Sequence, residues 1–172
     1  MIGSLDWVSA MGRQDLLADP VARAVREDTQ AQVAEIDPEL ADTAAFCERY
    51  AVPLGISANC VIITAKRGGE VAHAACMVLA TQRADVNGIV RRHLGARKAS
   101  FAPMDQATAL SGMEYGGITP IGLPEDWPVL VDTAVADEAY VVIGSGLRRS
   151  KLLLPGKALA DLPQAEVIAL AQ

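Results

Sequence analysis

Cys60-Val61-Ile62-Ile63-Thr64-Ala65-Lys66-Arg67-Gly68-Gly69-Glu70-Val71-Ala72-His73-Ala74-Ala75-Cys76-Met77-Val78-Leu79-Ala80 is the stretch that sets this chain apart from a helical bundle. Residues 60–65 are a β-branched run, Lys66-Arg67-Gly68-Gly69 is a turn, and residues 71–80 return as the partner strand. Outward from this hairpin, Asp85 opens a helix with Val86, Ile89, Val90 and Leu94 on one face, closed by Gly95. Residues 98–102 follow as a short strand and 104–110 as a helix stopped by Gly112. Residues 129–131, 140–143 and 150–154 are strands of buried type, 156–162 is a short helix, and 167–170 is a last strand. Upstream, Asp42 caps a helix carrying Ala45, Phe46, Arg49 and Tyr50, which Pro53 and Gly55 end. Two amphipathic fragments, 12–17 and 20–28, precede it, the second with Asp19 as cap and Pro20 in its first turn. The expected fold is α+β: a mixed, largely antiparallel sheet with packed helices. Residues 1–32 read as an N-terminal helical extension and 33–172 as the main domain.

The 172 residues are 51% hydrophobic and 21% charged, a globular composition long enough for a substantial core. No apolar run approaches a bilayer span and no signal-peptide pattern opens the chain, so a soluble cytoplasmic protein without a membrane partner is expected. Cys47, Cys60 and Cys76 are odd in number with no close pair, which supports neither a disulfide framework nor a zinc site; no metal and no cofactor are expected. The net charge of -6 argues against a protein that coats nucleic acid, and no DNA partner is expected. Ten of the 21 carboxylates lie in the first 50 residues, leaving a neutral body with basic clusters at Arg91, Arg92, Arg97, Lys98 and at Arg148, Arg149, Lys151. Either cluster suits local phosphate contacts or a merely solvated face.

Local catalytic signatures are sparse. No phosphate loop, GxSxG or metal-spaced histidine pair occurs, and His73 and His93 each lack a visible partner. The distinctive chemistry is Gly116-Gly117-Ile118-Thr119-Pro120-Ile121-Gly122, a stiff loop that either turns a corner or presents backbone N–H groups to an acyl oxygen. Asp132 ends an apolar strand, where it either projects into a cleft or caps a helix. Ser145, between Gly144 and Gly146, is a second cleft residue or part of a plain glycine turn. Lys66 and Arg67 read as solvated turn residues, and Lys151 alternates to the polar face of its strand.

The succession Ser100-Phe101-Ala102, Leu110-Ser111-Gly112, the Gly116–Gly122 loop, Val129-Leu130-Val131-Asp132 and Val141-Val142-Ile143-Gly144-Ser145-Gly146 resembles the YbaK/EbsC family. These are trans-editing aminoacyl-tRNA deacylases related to the inserted editing domain of bacterial prolyl-tRNA synthetases. The resemblance spans residues 42–162. It implies a pocket for the aminoacylated 3′ end of a tRNA, with Gly116, Gly117, Ile118, Thr119 and Pro120 against the scissile ester. Gly122, Asp132, Gly144, Ser145 and Gly146 then bind the substrate, Arg91, Arg92 and Lys98 contact tRNA phosphates, and recruitment by a synthetase stays open. Many members carry a lysine in the first hairpin strand, where this chain has Val61 by gapless counting from His73, or Asn59 if the turn is two residues longer. Neither supplies an ammonium, which keeps open a catalytically silent module that binds aminoacyl-tRNA, a nucleotide or a small acyl ligand.

Overall fold

A computed structural model describes residues 2–172. Nine strands and six helices run β1 (Val8–Ser9), α1 (Asp19–Ala24), β2 (Gln32–Glu35), α2 (Thr43–Tyr50), β3 (Ala58–Arg67), β4 (Glu70–Leu79), α3 (Arg91–His93), β5 (Lys98–Phe101), α4 (Met104–Ser111), β6 (Val129–Asp132), α5 (Thr133–Ala136), β7 (Val141–Gly144), β8 (Ser150–Leu154), α6 (Gly156–Ala160) and β9 (Ala165–Ile168). The fold is α+β, but the strands divide into two sheets where the sequence led to one. An antiparallel sheet has the order β1-β2-β8-β7, and a mixed sheet has the order β5-β3-β4-β6-β9, with β4-β6 and β6-β9 parallel. The missed strands β1 and β2 are short, and their outer residues are exposed, so neither carries a readable period.

The β3-β4 hairpin pairs without interruption from Ala58↔Leu79 to Arg67↔Glu70. Its turn is therefore Gly68-Gly69, both at positive φ, and Lys66 and Arg67 belong to the strand. The two sheets face each other across one core: Val33, Val141, Ile143, Leu152 and Leu154 on one side, Ile62, Met77, Val129 and Val131 on the other. Helix α2 covers the outer face of the smaller sheet, with Phe46 against Trp7, Val142 and Leu153. The segment from Val86 to α3, opened by a wide π turn, covers the outer face of the larger sheet with Val86 and Val90 over Ile63, Cys76 and Leu130. Each layer buries the stripe that its neighbour also needs covered.

The expected division after residue 32 cuts through that core. Leu16, Leu17, Ala18, Val21, Val25 and Ala31 are buried with the body's strands, and β1 extends the smaller sheet through β2. The 12–17 fragment forms two short 3-10 turns instead of a helix. Helix α1 begins one residue earlier than expected, with Ala18 as its N-cap and Asp19 inside the first turn. Among the described residues no helix is long and apolar enough to cross a membrane.

Candidate functional site

The sheets touch just before β3 begins, through a bridge between Ser57 and Val142 of β7. Here a cleft of about 370 Å³ opens, lined by residues of β3, β7, β8, α2 and the glycine loop. Its shape follows from backbone contacts that only glycine allows. A Cβ on Gly117 would lie 2.8 Å from the Leu147 carbonyl, and one on Gly144 would lie 2.8 Å from the Ile118 carbonyl oxygen, below any ordinary separation. The Gly146 N–H donates to the Gly117 carbonyl at 2.6 Å. Arg148 fastens the assembly from outside, donating to Tyr115 O (3.1 Å) and Pro38 O (3.0 Å), while its backbone N–H donates to Glu114 Oε1 at 2.8 Å.

Within the loop the backbone donors are divided. The Gly117 N–H donates to Glu114 O at 3.0 Å and the Thr119 N–H to Met113 Sδ at 3.4 Å. Among the described residues those of Gly116, Ile118, Ile121 and Gly122 have no protein acceptor, and of these Gly116 and Ile118 line the cleft. Two amides flanking a fixed glycine form a ready site for a developing oxyanion. Thr119 is fully buried, its Oγ1 unpaired, and Pro120 and Gly122 turn away to line a separate groove of about 1000 Å³ against Pro20, Arg23 and Leu162. That groove is larger, and the N–H groups of Ile121 and Gly122 in its lining also have no protein acceptor among the described residues, but it holds no residue of β3, β7 or β8. The smaller cleft is the candidate site on chemical grounds.

Asn59, Val61, Gly116, Ile118 and Gly144 are brought together in the cleft. Asn59 Oδ1 accepts from Thr43 Oγ1 at 2.8 Å, which leaves its amide nitrogen as a donor. Asp132 is elsewhere: its buried carboxylate accepts from the N–H groups of Ala134 (3.1 Å), Leu170 (3.0 Å) and Ala171 (3.0 Å), tying the last residues to the larger sheet. Ser145 is wholly buried, accepting from the Leu147 N–H at 3.2 Å and lying 2.6 Å from Ser150 Oγ. Both hold backbone in place. Arg91 and Lys98 lie at the opposite end of β3: Arg91 Nε donates to Asn87 O at 2.8 Å, and Lys98 pairs across strands with Lys66. Arg92 is exposed beside them. His93 meets Glu166 at 2.8 Å on the surface, and His73 stacks on Trp127 with ring centroids 5.2 Å apart.

Lys151 departs most from expectation. It was placed on a polar strand face, yet β8 is central, with both faces covered, and Lys151 is only 8% exposed. Its Nζ donates to Ala41 O at 2.9 Å and lies 5.2 Å from the centroid of the Phe46 ring, in the wall of the cleft. Burial lowers its pKa to about 8, against the opposing fields of Cys47 and Asp42 and helped by Arg148. The ammonium missing from the cleft-lining part of β3 is therefore present in this pocket, delivered by β8. Cys60 also lines the cleft, but burial and the neighbouring Cys76 push its thiol far up, so it stays protonated and is no nucleophile. Among the described residues no group of three or more His, Cys, Asp or Glu side chains is placed to hold a metal ion.

The aminoacyl-tRNA editing domain family matches residues 37–162. The chain belongs to that family, the YbaK family. No curated protein matches it by sequence at a significant level. Among solved structures, a candidate trans-editing enzyme for prolyl tRNA synthetase superposes with a TM-score of 0.75 at 20% identity, covering 90% of this chain and 96% of that one. A structure from work grafting linear epitopes onto scaffold proteins gives 0.75 at 21%, with 90% and 97% covered. A hypothetical protein gives 0.72 at 18%, with 83% and 91% covered. At these identities the likeness is one of fold, and it extends beyond the residues of the family match.

Proposed function

We propose that this editing domain is a trans-acting deacylase that hydrolyses the ester of a mischarged tRNA. The observation that carries the reading is the pair of unpaired amides, Gly116 and Ile118, in a cleft whose shape depends on Gly117 and Gly144. The ester carbonyl sits against those amides and water attacks its carbon. The bond from the acyl carbon to the ribose oxygen breaks, the proton passes to that oxygen, and free amino acid and tRNA leave. The family membership supplies the substrate class, and a fold neighbour described as a candidate trans-editing enzyme supports action outside a synthetase. An aminoacyl ester is labile, so orientation and oxyanion stabilisation provide most of the required acceleration. Arg91, Arg92 and Lys98 lie roughly 17 Å along β3 from the cleft, counted at about 3.3 Å per residue, and there they meet tRNA phosphates.

The test is hydrolysis of a panel of misacylated tRNAs by the purified protein, with Gly117→Val as the blocked-loop control. Release of at least one amino acid, lost in the control, establishes editing. Retained tRNA binding with no turnover on any member overturns the deacylase reading in favour of the silent module, which the absence of a lysine at Asn59 or Val61, in the cleft half of β3, favours.

A further inference from the structure

Lys151 is the one cation lining the cleft, and its placement is specific. It stands opposite Gly144 in the β7-β8 ladder, so both residues share one face of the sheet. The Gly144 position is filled by the backbone of Gly117 and Ile118, whereas the lysine head runs the other way, to Ala41 and the ring of Phe46 at the start of α2. Among the described residues no carboxylate lies within ion-pair distance of it, and the Ala41 carbonyl is its sole hydrogen-bond acceptor. Two of its three N–H bonds remain for a ligand. A buried ammonium with a single acceptor is costly to the fold, and an apolar residue would serve packing better.

If the ester carbonyl occupies the Gly116 and Ile118 amides, the ammonium at α2 meets the part of the amino acid farthest from that ester. It repels a cationic α-amino group, for which exposed Asp42 on the cleft wall is the available carboxylate; Asp42 heads α2 without a side-chain capping bond. What remains for Lys151 is the amino-acid side chain. Asn59, whose amide nitrogen is a donor, adds to the donor character of the cleft. Resting on the proposed placement of the ester, we propose that Lys151 is the specificity-determining residue of this cleft, donating to an oxygen on the substrate's side chain, so that hydroxyl, amide or carboxylate side chains are preferred over aliphatic isosteres.

The groups facing the lysine are Asp42 and Cys47 of the α2 segment and Arg148 of the β7-β8 connection. Its protonated form is the donor, so the preference is present below about pH 8 and fades above it as the lysine deprotonates. Lys151→Arg, which stays charged, keeps any preference it retains independent of pH in that range.

The experiment measures binding of non-hydrolysable 3′-aminoacylamino adenosines in near-isosteric pairs, seryl with 2-aminobutyryl, threonyl with valyl, asparaginyl with leucyl, to the full chain, Lys151→Met and Lys151→Arg. The expected result is a preference of about a hundredfold for the oxygen-bearing member of at least one pair, lost in Lys151→Met. Binding of the apolar members is expected to stay within a few fold, which a merely structural lysine would not produce. Absence of any preference, or a preference that survives in Lys151→Met, overturns the proposal. If Lys151→Met fails to fold, the pH profile of the unaltered chain decides: a preference unchanged from pH 6.5 to 9.5 overturns it. Hydrolysis of the matching aminoacyl-tRNAs is read separately. Preferential binding without hydrolysis sinks the deacylase reading and leaves the role of Lys151 standing, whereas hydrolysis indifferent to Lys151→Met sinks only the role of Lys151.

Discussion

The two ends of β3 handle charge in opposite ways. At the cleft end one ammonium, Lys151, is buried in a wall otherwise built of aliphatic, aromatic, glycine and small polar residues with one carboxylate, Asp42. At the far end Lys66 and Lys98 face each other across the strands, both exposed, with Arg67 donating to Gly95 O at 2.8 Å and Arg92 exposed nearby. Exposed charge is screened by salt and gives affinity without selectivity, whereas a desolvated charge interacts strongly with whatever enters its pocket. A substrate that is a long polyanion with one small reactive end suits this division. On the proposed function, the basic end should answer to ionic strength and the cleft end to pH and to the shape of the amino acid.

The largest expected effect comes from filling the glycine contact that shapes the cleft. Gly117→Val pushes the loop from Leu147 and displaces both free amides, so deacylation should fall by about a thousandfold while tRNA affinity at the basic end changes little. Equal loss of affinity and turnover would show that the two ends are not independent. Next is Asp132→Ala, away from both ends. Losing the acceptor of three buried backbone N–H groups should cost about 3 kcal/mol of stability, visible in chemical denaturation, with kcat/KM unchanged where the protein stays folded.

Lys151→Met should shift stability the other way. The folded protein holds the lysine at about 8 against 10.5 for the free group, so the native state binds this proton less tightly than the unfolded chain. The lysine's contribution to stability is therefore greatest above pH 10.5 and is lost as pH falls to 8, a penalty of about 3 kcal/mol at neutral pH. Removing it should stabilise the fold by about 1–3 kcal/mol at pH 7, after the lost bond to Ala41, with no gain left near pH 10.5. Melting curves at the two pH values check this, and destabilisation at pH 7 would mark the lysine as structural. The smallest effect belongs to the basic end. Replacing Arg91, Arg92 and Lys98 singly with Ala should each weaken tRNA binding by only a few fold and flatten the salt dependence by about one unit per lost phosphate contact. An unchanged slope would make that end a solvated face.

Much of this was legible in order along the chain. The β3-β4 hairpin, β5, α4, β6 and β8 fall within a residue or two of expectation, because each is a local pattern with local punctuation. The glycine loop was legible as a loop, and its motif pointed to the family that residues 37–162 match. Strands β1 and β2 were not, since two and four residues of mixed polarity carry no period, and the strand that β2 pairs with on its other side, β8, lies more than a hundred residues away. Asp132 and Ser145 carried the right chemistry for a cleft, yet their partners Leu170 and Ser150 are set by the fold and claim both side chains.

The amino-acid sequence by itself determined where backbone could turn, which segments would bury a face, and where the glycine-rich loop would fall. Those are properties of single residues and their near neighbours. Tertiary structure alone decided which loop amides remain unpaired, which carboxylate is spent on holding the chain together, and that Lys151 lies in the cleft wall. A side chain's role depends on what covers both faces of its strand, and for β8 that cover comes from α2 and from the opposite sheet, elements far from it in sequence.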